Sequence, residues 1–136
     1  MVTGFEDITF ELTKFEKETI VPIVYETWKK KSPESITTAK EMISGVNSYC
    51  MRKGIFQPGK GKKTYKLNGP RLRKVVHYLR VSGKLPNLIA NSKGYFITND
   101  KEKIKEFIKG CRQKANSFME VASRVEYYNF VNNEQK

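Results

Sequence analysis

The amino-acid sequence predicts an α+β fold that is mostly α-helical. Four stretches carry apolar residues at the three- and four-residue spacing of an amphipathic helix. Two short apolar runs, joined by Asn91-Ser92-Lys93-Gly94, are typical of a β-hairpin. With 136 residues the chain has the length of one modest domain, and its aromatic content of 12% argues against intrinsic disorder.

The first helix is predicted over about residues 14–31. Thr13 followed by Glu16 has the spacing of a capping box, in which each side chain accepts a hydrogen bond from the other residue's backbone N–H. Pro22 lies inside this stretch, so the helix either kinks there or begins there with proline in its first turn. Ile36 follows as an isolated apolar residue and is the candidate for a short extended segment.

The second and third helices are separated by a basic loop of about fifteen residues. Helix two is predicted over about residues 38–51, where Thr38 and Glu41 repeat the capping-box pattern. Helix three is predicted over about residues 70–82, with Asn68 as its candidate N-cap. Glycine, proline and lysine dominate the loop between them, and its clustered lysines are Lys60, Lys62 and Lys63.

A hairpin over about residues 87–98 and a fourth helix over about residues 101–127 complete the chain, with Asn99 or Asp100 capping the helix. The order helix, extended segment, helix, helix and hairpin is that of a winged helix-turn-helix, here followed by a long C-terminal helix. The predicted organisation is an N-terminal arm, a winged-helix DNA-binding domain, a C-terminal helix and a flexible tail, over residues 1–11, 12–99, 100–127 and 128–136.

The positive charge of the chain is confined to its middle. The formal net charge is +12, and between Met42 and Asn99 there are twelve Lys and Arg residues and no Asp or Glu. Both flanks are close to charge balance. A general role in solubility is one explanation. A local field of this strength more readily indicates a polyanion-binding face, and nucleic acid is the commonest polyanion.

Helix three separates apolar from basic residues. Its buried stripe is predicted at helical spacing, by Leu72, Val75, Val76 and Leu79. The remaining surface offers long donors to phosphates and base edges, and Arg73 and Lys74 are the best placed because they lie near the helix N-terminus. The candidate nucleic-acid-binding residues of this helix are Arg71, Arg73, Lys74, His77 and Arg80.

The hairpin and the basic loop supply further candidate contacts. Asn91, Ser92 and Lys93 form the turn of the hairpin, where a wing tip would lie across the DNA backbone or the minor groove. The same residue types are also ordinary in turns. Lys60, Lys62 and Lys63 would gather phosphates without sequence preference, or would belong to a simple linker.

The run GPRLRKVVHYLRVSGKLPNLIANSKGYFIT, continuing into KEKIKEFIKGCRQKANSFMEV, resembles small winged-helix proteins of phages and prophages. Those proteins pair an arginine-rich helix with an SKGY-type hairpin and a trailing helix, and the resemblance covers about residues 36–122. The long Lys-rich loop departs from their pattern. The resemblance implies a DNA-facing helix with Arg71, Arg73, Lys74 and Arg80, and a wing with Ser92, Lys93, Gly94 and Tyr95.

Catalysis is not expected. Gly54 to Lys60 imitates the start of a phosphate-binding loop, but Gly61 occupies the position of the magnesium-binding Ser or Thr. His77 is the only histidine and has no evident catalytic or metal-binding neighbour in sequence. The basic span also lacks the clustered carboxylates that a nuclease needs for its metal. The sequence therefore predicts a protein that is not an enzyme and has no metal or cofactor.

Two cysteines are too few for a disulfide framework, and Cys50 and Cys111 are expected to be reduced core residues. Neither a leader peptide nor a membrane span is predicted, so the expected location is the cytoplasm, that of a bacterial host if the gene belongs to a phage.

The predicted function is non-enzymatic binding of double-stranded DNA in transcription regulation or replication. A homodimer through the C-terminal helix is also expected, because its apolar stripe continues through Phe118, Ala122 and Val125. The alternative cover for that stripe is Phe5, Ile8 and Phe10. Two other functions are considered: binding and inhibition of a host protein, and RNA binding, with Tyr65, Tyr78 and Tyr95 stacking on bases.

Overall fold

A computed structural model describes residues 11–55 and 66–132 of the chain. The chain divides into two compact units between Asn99 and Asp100. The described part of the first unit contains three α-helices and a hairpin, and the described part of the second is one long helix. The predicted class, α+β and mostly helical, is confirmed.

The first helix begins at residue 14, passes through a π-helical turn at Glu16–Ile20 and continues as α1, Val21–Lys29. The predicted capping box is present: the Thr13 N–H donates to Glu16 Oε1 at 2.9 Å, and the Glu16 N–H donates to Thr13 Oγ1 at 3.1 Å. Pro22 lies at the start of α1, directly after the π-helical turn, so the helix continues through the proline and does not begin there.

The next two helices are α2, Ala39–Arg52, and α3, Gly69–Val81. Both predicted N-caps are confirmed. Thr38 forms a complete capping box with Glu41, and Asn68 Oδ1 accepts a hydrogen bond from the backbone N–H three residues later at 3.0 Å. The predicted loop contacts at Lys60, Lys62 and Lys63 lie outside the described residues.

Asn47 on α2 holds the segment that leads into α3. Its side-chain amide donates to the Leu67 carbonyl at 3.0 Å and accepts from the Leu67 N–H at 2.8 Å. The Leu67 side chain is buried in the same core. The start of α3 is therefore held against α2 by both backbone polar groups of one residue.

The hairpin consists of two antiparallel strands, β1 (Leu88–Asn91) and β2 (Gly94–Ile97). A further antiparallel bridge pairs Thr37 with Tyr95 on the other edge of β2. The Thr37 N–H donates to the Tyr95 carbonyl at 2.8 Å, and the Tyr95 N–H donates back at 2.9 Å. The extended contact before α2 is thus made by Thr37, whereas the predicted Ile36 is exposed.

The core of the first unit lies between the three helices and the hairpin. Trp28 on α1 is almost fully buried, and its ring meets the Tyr95 ring of β2 edge to face at 5.5 Å between centroids. Leu88 of β1 is fully buried in the same cluster. The predicted stripe of α3 is confirmed as core, with Leu72, Val75, Val76 and Leu79 all buried.

The second unit is α4, Lys101–Glu126, followed by a π-helical turn at Tyr127–Val131. Asp100 caps α4, since its Oδ1 accepts from the Glu102 N–H at 2.9 Å. Cys50 is buried as predicted, but the prediction of a core position for Cys111 is wrong, because this side chain is exposed on α4.

The alternative cover for the α4 stripe, Phe5, Ile8 and Phe10, lies outside the described residues. A membrane-crossing helix, which needs about 20 mostly apolar residues, does not occur in the described part of the chain.

Candidate nucleic-acid interface

The outward surface of α3 is formed by Arg73, His77 and Val81, which are spaced by four residues, about one helical turn. Arg73 and Val81 are exposed, and His77 between them is half-buried. The Arg73 side chain turns back over the first turn of α3, so that its Nη1 lies 3.6 Å from the position of a Cβ added at Gly69. Arg73 therefore presents a guanidinium near the N-terminal end of the helix, where the backbone dipole also favours anions.

Lys74 does not lie free on this surface, and the prediction of an outward position is wrong. Its Nζ lies 2.8 Å from Glu16 Oε1 and 3.4 Å from the Glu11 carbonyl oxygen. The side chains of Lys74 and Glu16 are only 17% and 4% exposed. A helical wheel of α3 could not show this acid, because it comes from the first helix, 58 residues earlier.

The carboxyl of Glu16 is held in its charged form. Burial raises its pKa, but the hydrogen bond from Lys74, the hydrogen bonds with Thr13 and the charge of Lys74 together outweigh burial, so the pKa is lowered. Its Oε2 is buried without a hydrogen-bond partner among the described residues. Lys74 is thus a neutralised link between α3 and the first helix, and contributes little to the field of the outer surface.

Two other predicted contact residues make hydrogen bonds inside the first unit. Arg71 Nη1 donates to the Lys66 carbonyl at 2.7 Å, immediately before α3. Arg80 Nε donates to the Leu88 carbonyl at 2.7 Å, and its guanidinium lies 6.0 Å from the centre of the Tyr95 ring. Arg80 therefore connects the C-terminal end of α3 to both strands of the hairpin, whereas the sequence predicted it as a nucleic-acid contact.

The tip of the hairpin is polar and exposed. Ser92 and Lys93 form its two-residue turn between Asn91 and Gly94, which are paired in the strand register. Asn91 Oδ1 accepts the Lys93 N–H at 2.8 Å, a local bond typical of asparagine in turns. The backbone of the turn is thereby stabilised while the Lys93 ammonium extends into solvent.

Gly94 determines how closely the hairpin approaches the segment before α2. Its φ of +146° is rarely adopted by other residues, and a Cβ added there would lie 2.8 Å from the Thr37 carbonyl oxygen. The Thr37–Tyr95 bridge forms immediately beside this contact. Gly94 was predicted only as part of the hairpin turn, and its close approach to Thr37 appears only in the structure.

The structure thus brings Arg73 and His77 together on α3 and leaves Lys93 exposed on the hairpin. No family model matches this chain, and no curated protein or solved structure matches it. Two exposed lysines that the sequence analysis did not single out flank α3: Lys66 precedes it, and Lys84 follows it with its Nζ 6.0 Å from the centre of the Tyr25 ring. Both belong to the acid-free span, which was the signal that could have identified them.

Proposed function

We propose that this chain is a non-enzymatic DNA-binding protein of the winged helix-turn-helix type. In this proposal α3 enters the major groove and the hairpin lies along the neighbouring backbone. The observation that carries the proposal is that Arg73 and Lys93 are exposed cations on the two elements a winged helix uses for DNA, within one compact unit. Transcription regulation or replication in a phage or mobile element is the proposed setting.

The connections within the first unit support a winged helix. β2 lies between β1 and the bridge at Thr37, which gives the segment before α2 the place of a third strand. Arg80 links α3 to β1, so that the helix and the wing are held by a direct hydrogen bond. The long α2–α3 connection is longer than the usual turn of this motif.

The site residues of this proposal differ from those expected from sequence. Arg73 and Lys93 bind phosphates or base edges, and His77 lies between the major-groove contacts. Lys66 and Lys84 add phosphate contacts at the two ends of α3. Lys74 and Arg80 position α3 and the hairpin, and Arg71 supports the start of α3 through the Lys66 carbonyl.

The test is a salt titration of binding to a labelled random duplex, measured by fluorescence anisotropy. Wild-type affinity should fall steeply with salt, because each neutralised phosphate contributes about 0.9 to the log–log slope. Arg73→Glu and Lys93→Glu should each weaken binding at least tenfold and lower that slope by about 1. Lys30→Glu, a reversal at the exposed lysine that follows α1, is the matched control and should leave both quantities nearly unchanged.

Equal losses for Lys30→Glu and Arg73→Glu would contradict the assignment of α3 as the DNA-binding helix. The same titration on single-stranded DNA and on RNA separates the alternatives. Tighter binding to RNA than to duplex DNA would favour the RNA-binding function. Absence of binding to any nucleic acid at physiological salt would leave the interaction with a host protein as the better hypothesis.

A further inference from the structure

A seven-residue repeat runs from Ile104 on α4 to Tyr128 in the π-helical turn that follows it. With Ile104 as the first a position, the a positions are Ile104, Cys111, Phe118 and Val125, and the d positions are Phe107, Lys114, Val121 and Tyr128. Seven of these eight residues are apolar. A strict repeat of seven, sustained over four heptads, is the pattern by which one helix packs against another in a coiled coil.

The C-terminal half of this stripe is exposed. Phe118 is 68% exposed, and Val121, Val125 and Tyr128 are all more than half exposed. An isolated helix gains little stability in water from its own backbone bonds, so a helix of 26 residues depends on packing of its apolar face. We propose that α4 pairs with α4 of a second copy of this chain as an antiparallel coiled coil.

Lys114 argues for the antiparallel direction. In a parallel pair each d residue faces the same residue of the partner, so two Lys114 ammonium groups would meet within the core. Reversing one helix places a positions opposite d positions, and Lys114 then faces an apolar residue. Its methylene stem can cover that residue while the ammonium reaches water.

The charges of the two halves of α4 agree with this direction. Residues 101–114 contain six basic and two acidic side chains, whereas residues 115–131 contain one basic and two acidic side chains. A parallel pair would place the two basic halves side by side. An antiparallel pair places each basic half against the weakly acidic half of the other copy, which reduces repulsion along the whole interface.

The register follows from the longest overlap of the repeat. Pairing Ile104 with Tyr128 of the second copy brings all eight a and d positions into layers. The other layers pair Phe107 with Val125, Cys111 with Val121, and Lys114 with Phe118. Small residues, Ala115 and Ala122, then follow one edge of the seam and allow the helices to approach closely.

Cysteine cross-linking of the full chain tests both direction and register. Cys111 is exposed, whereas Cys50 is buried, so Cys111 is the thiol available for mild oxidation. In the proposed register the two Cys111 residues are about 15 Å apart, ten residues of helix at 1.5 Å each, which is beyond disulfide reach. Val121→Cys adds a thiol opposite Cys111 and should give a disulfide-linked dimer, while the wild type should not cross-link.

The matched control is Glu120→Cys, which adds a thiol one residue away, about 100° around α4 and outside the a and d positions, and should leave the chain uncrosslinked. Sedimentation should show a wild-type dimer at micromolar concentration, and Phe118→Asp should convert it to a monomer. The fluorescence of Trp28, the single tryptophan, should stay unchanged in this variant, because Trp28 is buried in the core of the first unit. A wild-type Cys111–Cys111 disulfide would overturn the antiparallel direction. A dimer in which Val121→Cys does not cross-link would overturn the register.

A monomeric wild type would overturn the proposal altogether. If that monomer also floated with phosphatidylserine vesicles, the basic amphipathic character of α4 would instead indicate a lipid surface as its partner. The inference does not rest on nucleic-acid binding: its readout is a disulfide and a molar mass, so it can fail or succeed independently of the anisotropy experiment.

Discussion

Lys74 of α3 and Glu16 of the first helix form an ion pair with 2.8 Å between Nζ and Oε1. The pair joins the start of the chain's described region to the helix that carries Arg73. Glu16 also completes the capping box with Thr13, so one carboxylate oxygen both caps the first helix and holds α3. The position of the proposed DNA-binding helix thus depends on a contact between two residues that lie 58 positions apart in the sequence.

Removing one member of this pair should destabilise the protein. Lys74→Met leaves the Glu16 carboxylate without its compensating charge in a buried place, and we expect a loss of about 2–3 kcal/mol in the free energy of unfolding. Urea denaturation measures it. The double variant Glu16→Gln, Lys74→Met removes both charges and should recover at least half of that loss. Equal stability of the single and double variants would show that the carboxylate is not held by Lys74.

Acid should weaken the same contact. The pKa of Glu16 in the folded chain is below its ordinary value of 4.5, so the unfolded chain binds the proton first as the pH falls. The contribution of Glu16 to the free energy of unfolding is complete above pH 4.5. It is lost as the pH falls through the lower pKa that Glu16 has in the folded chain. Glu41 has the same direction of shift, caused by the N–H of Thr38.

Denaturation between pH 3 and pH 6 separates these two carboxyls. The wild type should lose more stability with acid than the double variant Glu16→Gln, Lys74→Met, because both proteins retain Glu41. Parallel pH profiles for the two proteins would contradict a lowered pKa at Glu16.

A side chain at Gly94 should disrupt the hairpin beside its turn, where β2 approaches Thr37. Gly94→Ala places a Cβ 2.8 Å from the Thr37 carbonyl and forces alanine into a φ of +146°, so we expect a loss of about 2–4 kcal/mol. Gly45→Ala is the matched control in the same unit. Its Cβ meets nothing within 4 Å on α2, and it should be neutral or stabilising by about 1 kcal/mol. Thermal unfolding measures the melting temperatures of both variants, and that of Gly94→Ala should be clearly the lower. Similar melting temperatures would exclude a tight contact at Gly94.

Replacing Arg80 should reduce the stability of the fold more than it reduces binding to duplex DNA. Arg80→Lys loses the Nε donor to the Leu88 carbonyl, and we expect a loss of about 1–2 kcal/mol in the free energy of unfolding. Its effect on duplex affinity should be smaller than that of Arg73→Lys, which keeps the fold and changes only an exposed side chain. A variant with wild-type stability and strongly reduced duplex affinity would instead assign Arg80 to the DNA surface.

Helix ends could be predicted from the sequence because their signals are local. Thr13, Thr38, Asn68 and Asp100 each accept a hydrogen bond from an N–H two or three residues later. The buried stripe of α3 was equally accessible, because four apolar residues at helical spacing can share only one face. The hairpin followed from the short polar turn between two apolar runs.

The side-chain positions of the candidate interface were predicted less well. Arg71, Arg73, Lys74 and Arg80 are all basic residues of one helix, and their periodicity alone cannot tell which of them finds a partner elsewhere. Cys111 was misplaced for a related reason: an apolar position on a helix predicts burial only when another element covers that position.

The sequence by itself determined the helices, their caps, the hairpin, the core stripe of α3 and the concentration of positive charge between residues 42 and 99. Only the tertiary structure decided that Lys74 pairs with Glu16, that Arg80 bonds to Leu88, and that Thr37 bridges to Tyr95 beside Gly94. The physical reason is the separation along the sequence over which each kind of interaction acts. Capping and amphipathic spacing act within a few residues, whereas an ion pair or a strand bridge depends on where distant segments meet after the core has formed.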